Sequence, residues 1–239
     1  MIARGTAVLT AALLAVLSAG CQPGPRATTA PAAPAGHPAP AGERRIATVA
    51  EAFLSPMTPA DNIDSPAAWQ APDGSTWLIA TAKATDKLVV YDGSTGRHVR
   101  DVGGAGAGLG QFDRPNGIAV TDDLLWIVER DNHRVQVLSL PGFTPLAVFG
   151  AEDLRKPYGL WVDARKGHYS VYVTDSWDDG EDAQGNDLLP PLAQLDKRVR
   201  RYDVQRTDAG LNATLAANIG DTSEAGALRV VESIWGDPA

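Results

Sequence analysis

A single cysteine, Cys21, is all the thiol chemistry this 239-residue chain offers, so no disulfide can form within it. Histidine is scarce too, with four scattered residues, and nothing resembles the Cys/His clusters that hold zinc. Positive charge is in deficit: Lys and Arg number 21 against 29 Asp and Glu, a formal net charge of −8. A nucleic-acid binder needs a basic face to neutralise phosphates, so that class is excluded. Long apolar runs are missing as well. The longest, Ala7 to Leu17, falls well short of the roughly 20 residues that cross a bilayer as a helix.

That run does fit another pattern. In "MIARGTAVLTAALLAVLSAG" an early Arg4 precedes the apolar stretch, and small residues follow it up to Cys21, the layout of a secretion signal over residues 1–20. "LSAGC" resembles the lipobox of bacterial lipoproteins, in which Cys21 would be the lipidated first residue of the mature chain. Ser18 stands where that motif usually has an aliphatic residue, and an ordinary cleaved signal is the alternative. Gln22 after the cysteine implies, by the same resemblance, an outer-membrane or periplasmic address in a Gram-negative cell. Residues 21–45 are too rich in Pro, Ala and Gly to bury a core, and they read as a tether reaching on the order of 70 Å in polyproline form. The globular part is expected over residues 46–239.

Within it one pattern recurs. "TDKLVVYD" from Thr85, "NHRVQVLS" from Asn132 and "DKRVRRYD" from Asp196 are each a basic turn followed by alternating apolar and polar residues, the period of a half-buried strand. Before them come "PAAW" at Pro66, "PNGIAV" at Pro115 and "PYGLWV" at Pro157, with "VESIWG" at Val231 as a fourth copy. Their third positions, Ala68, Gly117, Gly159 and Ser233, are small, as strands converging on a central axis require. Between the two patterns lie "TWLIATA", "LLWIVER" and "YSVYVTD". A period in the forties with four strands is that of a propeller blade, so the fold expected is an all-β propeller of four-stranded antiparallel blades. The chain supplies about three blades and begins a fourth, which leads to the expectation that the natural protein continues past Ala239. A small or strand-exchanged assembly is the alternative.

"GQFDRPNGIAV", "VERDNHRVQVL" and a closing "VFG" resemble an NHL repeat. The wider run, "DSPAAW", "LIATAKATDKLVVYD", "KPYGLWV", "VYVTDS" and "VESIWGD", is similar to the β-propeller phytases. That resemblance implies six blades and calcium-dependent hydrolysis of phytate or related phosphomonoesters at the ring mouth. By motif position it implies Asp64 as a calcium ligand, Lys83 and Arg130 as phosphate-receiving cations, and Glu232 as the residue that binds calcium or positions the attacking water, with Asp237 beside it. Asn116 and Tyr158 share the blade position of Glu232 and are expected to line the pocket. Ser65, Ala119 and Ser176 depart from the family pattern. The chemistry is physically consistent, since an acidic chain repels a polyanionic substrate unless bound cations invert the local field. The partners expected are a phosphorylated small molecule and, through Cys21 alone, a membrane. A complete ring is expected to be monomeric.

Other features have plainer readings. His133 supports its turn, since no nucleophile accompanies it. Trp161 and Trp235 are expected in the core between blades. The insertion between Asp175 and Asp196 carries Asp175, Asp178, Asp179, Glu181, Asp182 and Asp187 with no nearby cation in sequence, and reads as a solvated acidic loop, with a peripheral calcium loop as the alternative. From a different functional class, an NHL-like propeller that binds a protein or glycan and catalyses nothing would need only an exposed groove.

Overall fold

The computed structural model describes residues 47–208 and 210–225; Cys21, Glu232, Ser233, Trp235 and Asp237 lie outside them. The chain divides into two units between Val49 and Ala50, and the strands of the described residues all lie in the second. Among the described residues twelve strands form three antiparallel sheets, each a simple meander. The first holds β1 (Ile63–Gln70), β2 (Thr76–Ala82), β3 (Lys87–Asp92) and β4 (His98–Val102). The second holds β5 (Pro115–Thr121), β6 (Leu124–Glu129), β7 (Arg134–Ser139) and β8 (Thr144–Phe149), and the third β9 (Pro157–Arg165), β10 (His168–Asp175), β11 (Val199–Thr207) and β12 (Gly210–Ile219). These are propeller blades, as the repeat predicts. A 3-10 helix, Leu192–Lys197, interrupts the third blade between β10 and β11.

Two apolar layers join the blades. Ile79, Leu88 and Val90 of the first blade pack with Ile118, Leu125, Ile127 and Leu138 of the second. On its opposite face the second blade sets Trp126, Val128, Val135 and Val137 against Tyr169, Val171, Val173, Tyr202 and Val204 of the third. Being covered on both faces, β6 is buried at every residue, which is why "LLWIVE" is a continuous apolar run rather than an alternating one. β11 is covered on one face and alternates buried with more exposed residues through Val204.

Turns repeat with the strands. Asp86 and His133 both adopt the left-handed conformation, at φ 52 and 54, immediately before the basic residue that opens β3 or β7. Each reaches the loop leading into the following blade: Asp86 Oδ1 accepts from the Arg114 amide at 2.8 Å, and the His133 ring meets the Arg155 carbonyl. His133 is therefore a latch between blades, in line with the supporting role read from the sequence.

The pairing register corrects one alignment. Ile63 pairs with Ala82, Pro115 with Glu129 and Pro157 with Asp175, and each inner strand has a register shift directly after or opposite that pair. Ile63, not Pro66, is thus the counterpart of Pro115 and Pro157, and the small third residue of the first blade is Ser65, not Ala68. The common Pro-x-small pattern misled because the first blade reaches the same bulge through Ile-Asp-Ser. The reason for the small residue holds: a Cβ on Gly117 would lie 2.8 Å from the Tyr158 carbonyl oxygen and 2.9 Å from the Gly159 Cα.

Trp161 is a second correction. It is 61 % exposed rather than in the core. Its pair partner across the ladder is Tyr172, just as Ala119 pairs with Trp126 in the second blade. Trp126 is covered by the third blade, whereas no described residue forms a further blade over Trp161.

Candidate functional site

The corrected register places Asp64, Asn116 and Tyr158 at one equivalent position, directly after the first residue of each inner strand. Lys83, Arg130 and Ser176 form a second equivalent set, directly after each second strand. Their backbones repeat one hydrogen bond: Lys83 N–H donates to the Asn62 carbonyl at 3.3 Å, Arg130 N–H to Arg114 at 3.1 Å and Ser176 N–H to Lys156 at 3.0 Å. The two sets lie on the same end of the three blades, a rim around the inner strands.

Three of the residues singled out from sequence meet directly. Lys83 Nζ is 3.4 Å from Asp64 Oδ1, and the same ammonium lies 6.0 Å from the centroid of the Tyr158 ring. Tyr158 itself is 46 % exposed. Asn116 joins through Thr81, whose hydroxyl donates to the Asn116 carbonyl at 2.8 Å and accepts from the Ser65 amide at 3.2 Å. Thr174 does the equivalent work in the third blade, accepting from the Gly159 amide at 2.8 Å. Arg130 is not drawn in; its guanidinium faces Asp131 at 3.4 Å.

Two rim side chains have unsatisfied polar atoms. Asn116 is 0 % exposed, and neither its amide oxygen nor its amide nitrogen has a partner. Asp64 Oδ2 is likewise buried without one. Folding away such atoms unpaired costs roughly 1–3 kcal/mol each, a penalty usually found where a ligand or bound water completes the bonding.

Beneath the rim, sequence reasoning missed two buried carboxylates, Glu129 and Asp175, which end β6 and β10 at equivalent positions; Ala82 replaces them in the first blade. Glu129 accepts from Arg134 Nε at 2.8 Å, Asn132 Nδ2 at 2.6 Å and Gln136 Nε2 at 3.0 Å. Arg134 in turn donates to the carbonyls of Ala107, Gly108 and Gln111, pinning the glycine-rich loop before β5. Asp175 accepts from the amides of Arg155 and Lys156, with Arg200 Nε 3.8 Å away. Burial pushes both carboxyls above their ordinary range against these favourable contacts. The signal was present in "LLWIVERDNHR", a carboxylate closing an apolar run with a cation at the next strand start.

These contacts also correct the acidic-loop reading at two positions. Asp175 is core rather than loop, and Asp178 is ion-paired with Lys156, whose ammonium holds its carboxyl below the usual range. Ala119, one of the departures from the phytase pattern, packs in the layer between the second and third blades rather than on the rim.

Calcium is the group the phytase resemblance implies. It takes six to eight oxygen ligands, mostly carboxylates and carbonyls. Among the described residues no three Asp, Glu, His or Cys side chains gather to hold a metal, and the one rim carboxylate, Asp64, already has Lys83 against it. The described residues by themselves do not fit that ion, and Glu232 and Asp237 lie outside them.

Comparison with known proteins agrees on the repeat. The NHL repeat family model matches residues 112–138, which span the start of β5 through nearly all of β7. No curated protein matches. Among solved structures the chain is similar to a chain of Kuenenia stuttgartiensis hydrazine synthase, at 12 % identity and a TM-score of 0.37, over 67 % of this chain and 51 % of that one. The match thus spans about half of that chain.

Proposed function

We propose that this chain is an exported NHL-type propeller that binds a polyhydroxylated ligand, a glycan or related polyol, at the rim of its inner strands without transforming it. The observation that carries this reading is Asn116, a fully buried amide whose donor and acceptor both lack partners. A sugar hydroxyl donates and accepts at once, so it complements a free amide as neither a bare anion nor a bare cation does. Tyr158 adds an exposed ring of the kind that stacks on the apolar face of a pyranose. The charges near the rim are already paired, Lys83 with Asp64 and Arg130 with Asp131, which favours a neutral ligand over a polyanion. The leader and the lipobox-like Cys21 support display at a cell surface.

Calcium-dependent hydrolysis of phosphomonoesters is the second reading. Its specific support is Asp64 Oδ2, buried and without a partner. It also needs Glu232 and Asp237 as further ligands.

A glycan array probed with the full chain, alongside phosphate release from phytate with calcium and then with a chelator, tests both. Retention on glycans that falls roughly tenfold in Asn116→Ala and in Tyr158→Ala supports the binding propeller. Phosphate release that vanishes on chelation and drops in Glu232→Ala overturns it in favour of the hydrolase.

A further inference from the structure

The outer strands of the three blades are not built alike. β4 is short and carries His98, Arg100 and Asp101, and β8 has Pro145 within its pairing with β7. Charges, brevity and proline are three of the devices, with β-bulges a fourth, by which natural sheets keep an edge from pairing with another chain. β12 has none of the three. It is the longest strand in the described structure, ten residues without a charge or a proline, and it pairs with β11 without interruption from Gly210 to Leu215, ahead of a single bulge at Ala216. Leu211, Ala213 and Leu215 pack inward, while Asn212 and Thr214 are exposed. Among the described residues, no strand pairs with its outer side.

We propose that β12 joins β12 of a second copy of this chain, antiparallel about a two-fold axis at Ala213, making one continuous sheet from two third blades. An antiparallel edge is self-complementary, because the outward amides and carbonyls of one copy meet the identical row of the other. Two copies of a chain with net charge −8 repel over much of their surface, and residues 210–216, the stretch that this axis pairs with itself, bring no like charges together. In this register Asn212 of each copy faces Thr214 of the other, a hydrogen-bonding pair made twice, and Leu211 faces Leu215. A closed ring alone gives the monomer expected from sequence; this edge supplies a reason for two.

Sedimentation of the full chain over a range of concentrations, with circular dichroism to confirm folding, tests the proposal. The natural sequence is expected to dimerise. Asn212→Lys with Thr214→Lys sets like charges opposite each other twice and raises the dissociation constant roughly tenfold or more. Asn212→Lys with Thr214→Glu brings opposite charges together in the same register and restores the dimer. A natural chain that stays monomeric at every concentration overturns the proposal, as does a dimer that responds equally to both double variants.

Discussion

Buried charge dominates the residue scale. Glu129 and Arg134 form a desolvated pair whose remaining bonds fix Asn132, Gln136 and the loop before β5. Removing one partner strands the other in the interior, so Glu129→Ala is expected to lower stability by about 3–5 kcal/mol, read from urea denaturation followed by tryptophan fluorescence. A second cluster works in the opposite sense. Lys87 sits 3.0 Å from Asp61 and 2.9 Å from Asp101. Hydrogen bonds from Thr85 and Lys87 hold the Asp61 carboxyl below its ordinary value, and Lys87 does the same for Asp101. A carboxyl depressed in the folded state contributes stability that is full above its unfolded value of 3.8 and is lost as pH falls through the folded value. Acid unfolding of Lys87→Met is accordingly expected to begin at a higher pH than in the natural chain. An unchanged acid transition would show that the triad contributes nothing.

At the scale of elements, the inner strands set the tolerance of the rim. β5 and β9 approach so closely at Gly117 that a methyl group would meet backbone, which cannot swing aside. Gly117→Ala is therefore expected to destabilise strongly and to move Asn116 and Tyr158 apart. Gly159→Ala, whose added carbon would meet only the Thr174 hydroxyl at 3.3 Å, is expected to be milder. Thermal melts of the two variants give the comparison, and equal losses would contradict it. The same strands show what the sequence made legible. Strand number, blade period and the basic turn before each third strand follow from local chemistry, and each could be read directly. The register of β1 could not, because a bulge moves pairing by backbone geometry while leaving an attractive but misaligned proline. Asn116 and Tyr158 were legible as sharing one blade position, whereas Asp64 and Lys83 were pointed to only by the phytase resemblance. Glu129 and Asp175 were missed, since a carboxylate at a strand end looks solvated until the partners that bury it are placed, although for Glu129 the apolar run before it and the cation after it carried a signal.

For the molecule as a whole, the inter-blade layers and the face of the last described blade behave as different materials. Trp126 and Trp161 belong to the same ladder rung of successive blades, Trp126 on the second strand opposite Ala119 and Trp161 on the inner strand opposite Tyr172. Trp126 is wholly buried and lies 5.2 Å from Tyr169, whereas Trp161 is mostly exposed and tilted against Tyr172 at 5.4 Å. Truncating a packed tryptophan removes its transfer energy and leaves a cavity, about 3–5 kcal/mol, while truncating an exposed one falls within about 0.5 kcal/mol. Trp126→Ala is expected to show the first cost and Trp161→Ala the second, measured by denaturant titration on the same chain. Comparable losses in both would mean that Trp161 is covered in solution, and its face would then be an inter-blade layer like the other two.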